Sequence, residues 1–132
     1  MAADVYKRQA VDGAGNVYFA DTGNNAIKEW SPAATNVTTL VSTGLSGPTG
    51  VAVDVGGNVY FADTGNAAIK EWSPATPTNV ATLVSSGLSQ PVGVAVDGAG
   101  NVYIADSQSN VIAEWSAATQ QATALVLSLI HI

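Results

Sequence analysis

The sequence predicts an all-β fold built from about three copies of one four-stranded unit. Three observations carry this: a long internal repeat, strand and turn composition throughout, and no helical periodicity anywhere. Val11-Asp12-Gly13-Ala14-Gly15-Asn16-Val17-Tyr18-Phe19-Ala20-Asp21 returns as Val53–Asp63 and again as Val96–Asp106, at offsets of 42 and 43 residues. The same offsets relate Trp30, Trp72 and Trp115. The extra residue of the longer spacing falls near Pro77, in a connection.

Within the second copy, four short β-branched or aromatic runs are separated by turn residues: Val51–Asp54, Asn58–Asp63, Ala68–Trp72 and Val80–Ser85. The first connection, Asp54-Val55-Gly56-Gly57-Asn58, holds the Gly and Asn that a tight hairpin needs where φ turns positive. The second, Asp63-Thr64-Gly65-Asn66-Ala67, offers Asp and Asn side chains to bond nearby amides. Both turns make consecutive strands antiparallel. Runs such as Val-Tyr-Phe-Ala are apolar on both faces, which suits a sheet covered on either side and not a sandwich with one wet face. Four such strands per repeat is the pattern of a β-propeller blade. The expected fold is therefore a partial β-propeller of about three four-stranded antiparallel blades, over about residues 10–50, 51–93 and 94–126.

The residues that carry this pattern resemble a known family. Pro91-Val92-Gly93-Val94-Ala95-Val96-Asp97, Gly100–Asp106 and Asp21-Thr22-Gly23-Asn24-Asn25-Ala26-Ile27-Lys28-Glu29-Trp30 are similar to the NHL repeat. The resemblance covers about residues 10–126. It implies a propeller blade, most often one of six in a closed ring, and no particular activity, since this fold hosts lyases, lactonase-like hydrolases, sensor domains and interaction modules. The third copy departs from the pattern, with Ser107-Gln108-Ser109-Asn110 in place of Thr-Gly-Asn-Asn and Ala113 in place of Lys, so its loop is expected to be less regular.

Both ends leave the repeat abruptly. Gln9 stands where the register asks for Val, and Leu127 where it asks for a polar residue. Asp4–Gln9 can be encoded as GAT-GTG-TAT-AAG-AGA-CAG, whose reverse complement translates as Leu127-Ser128-Leu129-Ile130-His131-Ile132. The hexamers resemble a transposon end used to tag DNA for sequencing, and residues 1–9 and 127–132 are read as translated adapter on a longer gene. The single histidine, His131, and two of the four basic residues, Lys7 and Arg8, fall in these ends.

Composition narrows function more than it defines it. The net charge is −6. Residues 10–126 carry two lysines against nine acids, a formal charge of −7, which disfavours phosphate backbones and anionic membranes. Nucleic acid is not an expected partner. There is no cysteine, so thiolate metal sites and thiol nucleophiles are absent. No apolar run reaches the length of a membrane span. Sparse charge with many Ser, Thr, Asn and Ala residues fits an extracytoplasmic or secreted parent.

No cofactor, metal site or catalytic set is expected from these residues. Asp12, Asp54 and Asp97, like Asp21, Asp63 and Asp106, stand at strand-to-turn junctions where a carboxylate caps turn amides. The acids do not alternate as in a calcium loop. Trp30, Trp72 and Trp115 are expected to pack between blades. The Lys28-Glu29 and Lys70-Glu71 pairs, and Glu114, are expected to make outward contacts. The glycines between the first two strands have no helix to help hold a phosphate.

If a ligand binds, the expected surface is the face formed by the turns between second and third strands and by the connections between blades: Asp21–Asn25, Thr43–Pro48, Asp63–Ala67, Ser86–Pro91 and Asp106–Asn110. Candidate contacts are Asp21, Asn24, Asn25, Asp63, Asn66, Asp106, Ser107, Gln108, Ser109 and Asn110, with the third loop the most distinctive. The expected partners are an unidentified protein, small-molecule or carbohydrate ligand, further blades of a parent chain, or a second copy meeting through open blade faces. The leading functional reading is a non-catalytic binding segment. The alternatives are part of a propeller lyase or lactonase-like hydrolase completed by other blades, and a structural spacer in a large surface protein. Resequencing of the source locus checks the reading of the ends: adapter-derived codons will be missing there, whereas an uninterrupted native frame through them contradicts it.

Overall fold

A computed structural model describes residues 8–127. Val-Tyr-Phe-Ala runs in the first two repeats and Val-Tyr-Ile-Ala in the third, bounded by Gly-Asn and by Asp-Thr or Asp-Ser turns, fold each repeat as a four-stranded meander. Blade 1 consists of β1 (Gln9–Val11), β2 (Val17–Asp21), β3 (Ala26–Ser31) and β4 (Asn36–Val41). Blade 2 is β5 (Pro48–Val53), β6 (Val59–Asp63), β7 (Ala68–Trp72) and β8 (Val80–Val84). Blade 3 is β9 (Pro91–Val96), β10 (Val102–Asp106), β11 (Val111–Ser116) and β12 (Gln121–Leu127). Each blade is a separate sheet with its strands in chain order, and every pairing is antiparallel. The adapter reading concerns residues that mostly lie outside those described; of the two ends, Arg8, Gln9 and Leu127 are seen.

The registers repeat as the sequence does. Tyr18 faces Glu29, Tyr60 faces Glu71 and Tyr103 faces Glu114 across the second and third strands. The third and fourth strands slip by one residue in every blade, after Ile27, Ile69 and Ile112. One residue of each fourth strand, Leu40, Leu83 or Leu125, is thereby left without a partner, as in a β-bulge. The first strand of blade 2 starts at Pro48, three residues before the expected Val51. Proline is tolerated at the beginning of a strand, where no ladder donor is needed.

Burial along the second strands shows how the blades stack. Side chains of a strand alternate between the two faces of its sheet. In β6 all five residues are buried. In β2 only Tyr18 and Ala20 are, and in β10 only Val102, Ile104 and Asp106. Blade 2 is thus covered on both faces, blade 1 on its trailing face and blade 3 on its leading face. The two cores confirm the order. Tyr18, Ala20, Ile27 and Val41 of blade 1 meet Val51, Val59, Phe61 and Trp72 of blade 2, and Tyr60, Ala62, Ile69 and Val84 of blade 2 meet Val102, Ile104, Ala113 and Trp115 of blade 3. Trp72 and Trp115 pack between blades as expected and are each 8% exposed; Trp30, with no described blade in front of it, is 39% exposed.

The first strands lie beside one another along the inner edge of the stack, β1 against β5 and β5 against β9. Close approach there needs glycine. A Cβ on Gly50 would collide with the Val92 carbonyl of blade 3. Arg8 occupies the equivalent place in blade 1, and β1 is three residues long where β5 and β9 have six. Gly50→Ala is expected to lower stability by about 1–3 kcal/mol through forced separation of the inner strands. Gly13→Ala, with no neighbour within 4 Å of the added methyl, should change it by less than about 0.5 kcal/mol. Urea unfolding of the two variants checks this, and equal losses would contradict it.

Candidate functional site

The turns between second and third strands come together with the connections between blades on one face of the stack, and hydrogen bonds tie each to the next. Asp63 is fully buried at the end of β6. Its carboxylate accepts the Ser46 amide at 2.7 Å, the Asn66 side-chain amide at 2.7 Å and the Lys70 ammonium at 2.8 Å. Lys70 and Asn66 also reach the Gly44 carbonyl, and Gly65 donates its amide to the Ser46 carbonyl. Asn25 receives the Gly47 amide at 2.8 Å. Thr22 donates to the Pro48 carbonyl and Thr64 to the Pro91 carbonyl, each at 2.7 Å.

Blade 3 reaches the same end with different residues. Ala113 stands where Lys28 and Lys70 do, so no ammonium is available to Asp106. Its buried carboxylate instead takes two connection amides, Ser89 at 2.8 Å and Gln90 at 2.7 Å. Ser107 donates its amide to the Gln90 carbonyl, and the Ser109 hydroxyl meets that of Ser89 at 3.0 Å. The loop is less regular, as expected: Thr22–Asn24 and Thr64–Asn66 each form one turn of 3-10 helix, with the Asn25 and Ala67 amides donating to the Thr22 and Thr64 carbonyls, whereas Ser107–Asn110 forms neither the helical turn nor that bond, yet the hairpin is kept. Asp106 pairs with Val111 just as Asp63 pairs with Ala68, and Asn110 takes the same left-handed conformation (φ 56°) as Asn25 and Ala67 (φ 53° and 51°). Equal loop length and one left-handed residue suffice to keep the hairpin.

A correction concerns the acids. Asp63 and Asp106 were expected to cap their own turns; they bind the connection that precedes their own blade. A sequence window cannot show this, because the partners lie 16 and 17 residues away. Asp21, partly exposed, holds Asn24 at 3.0 Å and Lys28 at 2.7 Å. The remaining candidates, Gln108 with Ser107 and Ser109, are exposed on the rim of the same face. The structure thus brings the three turns and two connections into one polar surface, while Asp63 and Asp106 lie beneath it as supports.

Turn capping does occur at the opposite end of the blades. Asp54 accepts the Gly56 and Asn58 amides at 2.9 Å, the Asn58 side chain at 3.0 Å and the Tyr60 hydroxyl at 2.9 Å. Asp12 and Asp97 do the same in their blades. Sequence reasoning missed the tyrosine, although its constant place six residues after each aspartate signalled the link. A cleft of about 480 Å³ opens beside these turns, between Asp12 and Asp54. Glu29, Glu71 and Glu114 sit across from the tyrosines on the face opposite to the lysines, so each Lys-Glu pair divides between two blade faces.

The contacts of Asp12, Asp54, Asp97 and their tyrosines shift the titration of these groups. The Asn16 side chain, against the effect of burial, holds Asp12 below the usual aspartate value. At Asp54 burial is the largest influence and pushes upward, but the bonds from Asn58, Tyr60 and Gly56 together outweigh it. Asp97 is lowered mainly by the Asn101 amide. Tyr60 and Tyr18 are raised, first by burial and then by their aspartates. Glu71 is raised by burial. Groups whose folded values lie below the unfolded ones stabilise fully above the ordinary value and lose that contribution as pH falls through the folded value. Stability should therefore decline on acidification below about 3.8, the ordinary aspartate value, with Glu71 contributing the opposite sign just above that range. The tyrosines, with raised values, should lose their contribution as pH rises above 10.0. Urea midpoints across pH check both limbs, and Asp54→Asn should flatten the acidic one.

Among the described residues there is no group of three or more His, Cys, Asp or Glu arranged to hold a metal, and no helix long and apolar enough to cross a membrane.

The NHL repeat model matches residues 45–72 and 88–112, which cover most of blade 2 and the front of blade 3. No curated protein matches the sequence. Among solved structures, a nidogen/laminin complex aligns over 90% of this chain with a TM-score of 0.80 and 24% identity. A streptogramin B lyase aligns over 90% with a TM-score of 0.77 and 18% identity. A catalytically inactive histidine-to-alanine variant of virginiamycin B lyase from Staphylococcus aureus, with quinupristin, aligns over 88% with a TM-score of 0.72 and 15% identity. The chain spans less than half the length of these structures, 47%, 39% and 39% respectively. The NHL repeat model thus falls on blades 2 and 3, blade 1 repeats their sequence and their aspartate-capped first turn, and the chain folds as three four-stranded blades of a β-propeller.

Proposed function

We propose that the chain is a non-catalytic binding segment whose ligand meets the face of turns and connections. The observation that carries this reading is the hydrogen bonding between turns and connections on that face, whose partly exposed charges, Asp21 and Lys28, are paired with each other. Its exposed groups are Asn24, Asn25, Ser46, Asn66, Ser89, Gln90, Ser107, Gln108 and Ser109, all hydrogen-bonding and uncharged. They sit on a frame held from below by Asp63 and Asp106. Preorganised neutral donors and acceptors suit a protein loop or a carbohydrate, because little ordering remains to be done on binding. The copies differ most at Ser107–Asn110, so a ligand in contact with the third turn would read groups that the other two do not offer. A protein partner is supported, at the level of fold alone, by the nidogen/laminin complex.

The carboxylates argue against catalysis at this face. Asp63 and Asp106 are buried and committed to backbone amides, and Asp21 is held by Lys28 and Asn24, so none is presented as a base. The lyase reading draws on structures of 15–18% identity. One of these is inactivated by replacement of a histidine, and residues 8–127 contain no histidine.

Titration of the isotopically labelled chain with a panel of neutral oligosaccharides and extended peptides, followed by amide NMR, tests the proposal. Shifts should gather at Ser86–Gln90 and Ser107–Asn110, and Gln108→Ala should weaken binding without lowering the unfolding temperature. Shifts confined to the Asp12–Asn16 and Asp54–Asn58 turns, or none with any probe, would overturn it.

A further inference from the structure

Two faces of the stack have no blade against them among the described residues, and each is half of an interface that the chain already contains twice. On blade 1, Val17, Phe19 and Trp30 line a shallow apolar depression on the leading face. They match Val59, Phe61 and Trp72, which pack on blade 1 from blade 2. On blade 3, Tyr103, Ala105 and Ile112 line a depression on the trailing face. They match Tyr18, Ala20 and Ile27, the residues that receive Phe61 and Trp72, and Tyr60, Ala62 and Ile69, which receive Ile104 and Trp115. At all three positions each open half is identical in residue type to its counterpart in the blade 1–blade 2 interface.

We propose that the leading face of blade 1 docks on the trailing face of blade 3 in a second copy of this chain, repeating the internal blade-to-blade contact head to tail. Complementarity is argued from the molecule itself, since a knob and socket of the same composition are already packed with Phe61 at 0% and Trp72 at 8% exposure. Trp30 is the anchor. A large aromatic entering a desolvated site dominates such contacts. Such a contact joins two different patches, so it closes only if the rotation per blade allows it and otherwise propagates. The net charge of −6 on each copy opposes association, and added salt should strengthen it.

The heterologous geometry gives a specific test on the 132-residue chain, read by sedimentation. The unaltered chain should associate. Trp30→Glu damages only the leading face and Ala105→Glu only the trailing face, so each variant alone should be monomeric, with a dissociation constant raised at least about 30-fold. An equimolar mixture retains one sound face of each kind and should form a one-to-one heterodimer that grows no further. Phe19→Glu and Ile112→Glu form a second pair with the same expected pattern, should either first variant lose its β-sheet circular dichroism. A monomeric unaltered chain at high concentration, variants that associate as readily as the parent, or a folded mixture that stays monomeric would each overturn the proposal.

Discussion

Face-to-face packing between neighbouring blades is the interaction on which the rest of the structure depends. A single four-stranded meander has two apolar faces and no interior of its own. Phe61 and Trp72 become buried only because Tyr18, Ala20 and Ile27 receive them, and Ile104 and Trp115 only because Tyr60, Ala62 and Ile69 do. Fully burying one such side chain contributes about 1.5–3 kcal/mol, whereas an exposed ion pair contributes about 0–1 kcal/mol. The Lys28–Asp21 pair, with both side chains 26% exposed, belongs to the weaker class. Cohesion is therefore a property of adjacent blades, as in repeat proteins whose stability sums nearest-neighbour terms. Blade 2, packed on both sides, is the centre of the chain.

Packing brings the blades together, and the polar network sets where their loops lie. Each blade carries two aspartates with separate tasks. Asp12, Asp54 and Asp97 close the turn between the first two strands and hold a tyrosine hydroxyl, so their influence stays within one blade. Asp63 and Asp106 reach the preceding connection and so fix the loops of adjoining blades relative to one another. The candidate binding face thus inherits its shape from buried carboxylates that a ligand would not touch. Asp106 achieves with two amides what Asp63 does with one amide, an asparagine and a lysine, so the loss of lysine at Ala113 leaves the frame intact.

Much of this was legible in the sequence because the repeat is. Four strands, their antiparallel turns and the inward tryptophans of blades 2 and 3 followed from spacing and residue type. Local turn chemistry was legible too: the Gly57 conformation and the Asp54 cap are written within five consecutive residues. What was not legible was non-local. The partners of Asp63 and Asp106 lie across a connection, the bulge at Leu40, Leu83 and Leu125 arises from register between strands, and the need for glycine at Gly50 arises from a carbonyl of the next blade. Near-identical repeats also hide position in the stack. Phe19 and Phe61 are indistinguishable in their local sequence, yet one is partly exposed and the other fully buried, because burial depends on which blade comes before.

The central claim is that neighbours, and not local sequence, decide how firmly each blade is held. Native-state amide hydrogen exchange, resolved by residue, addresses it directly, since protection reports the free energy of local and sub-global opening. The account predicts that Val59–Asp63 and Ala68–Trp72 in blade 2 exchange more slowly than Val17–Asp21 and Ala26–Trp30 in blade 1 or Val102–Asp106 and Val111–Trp115 in blade 3, despite their matching sequences. Equal protection of the three sets, or greater protection at either end of the stack, would contradict it.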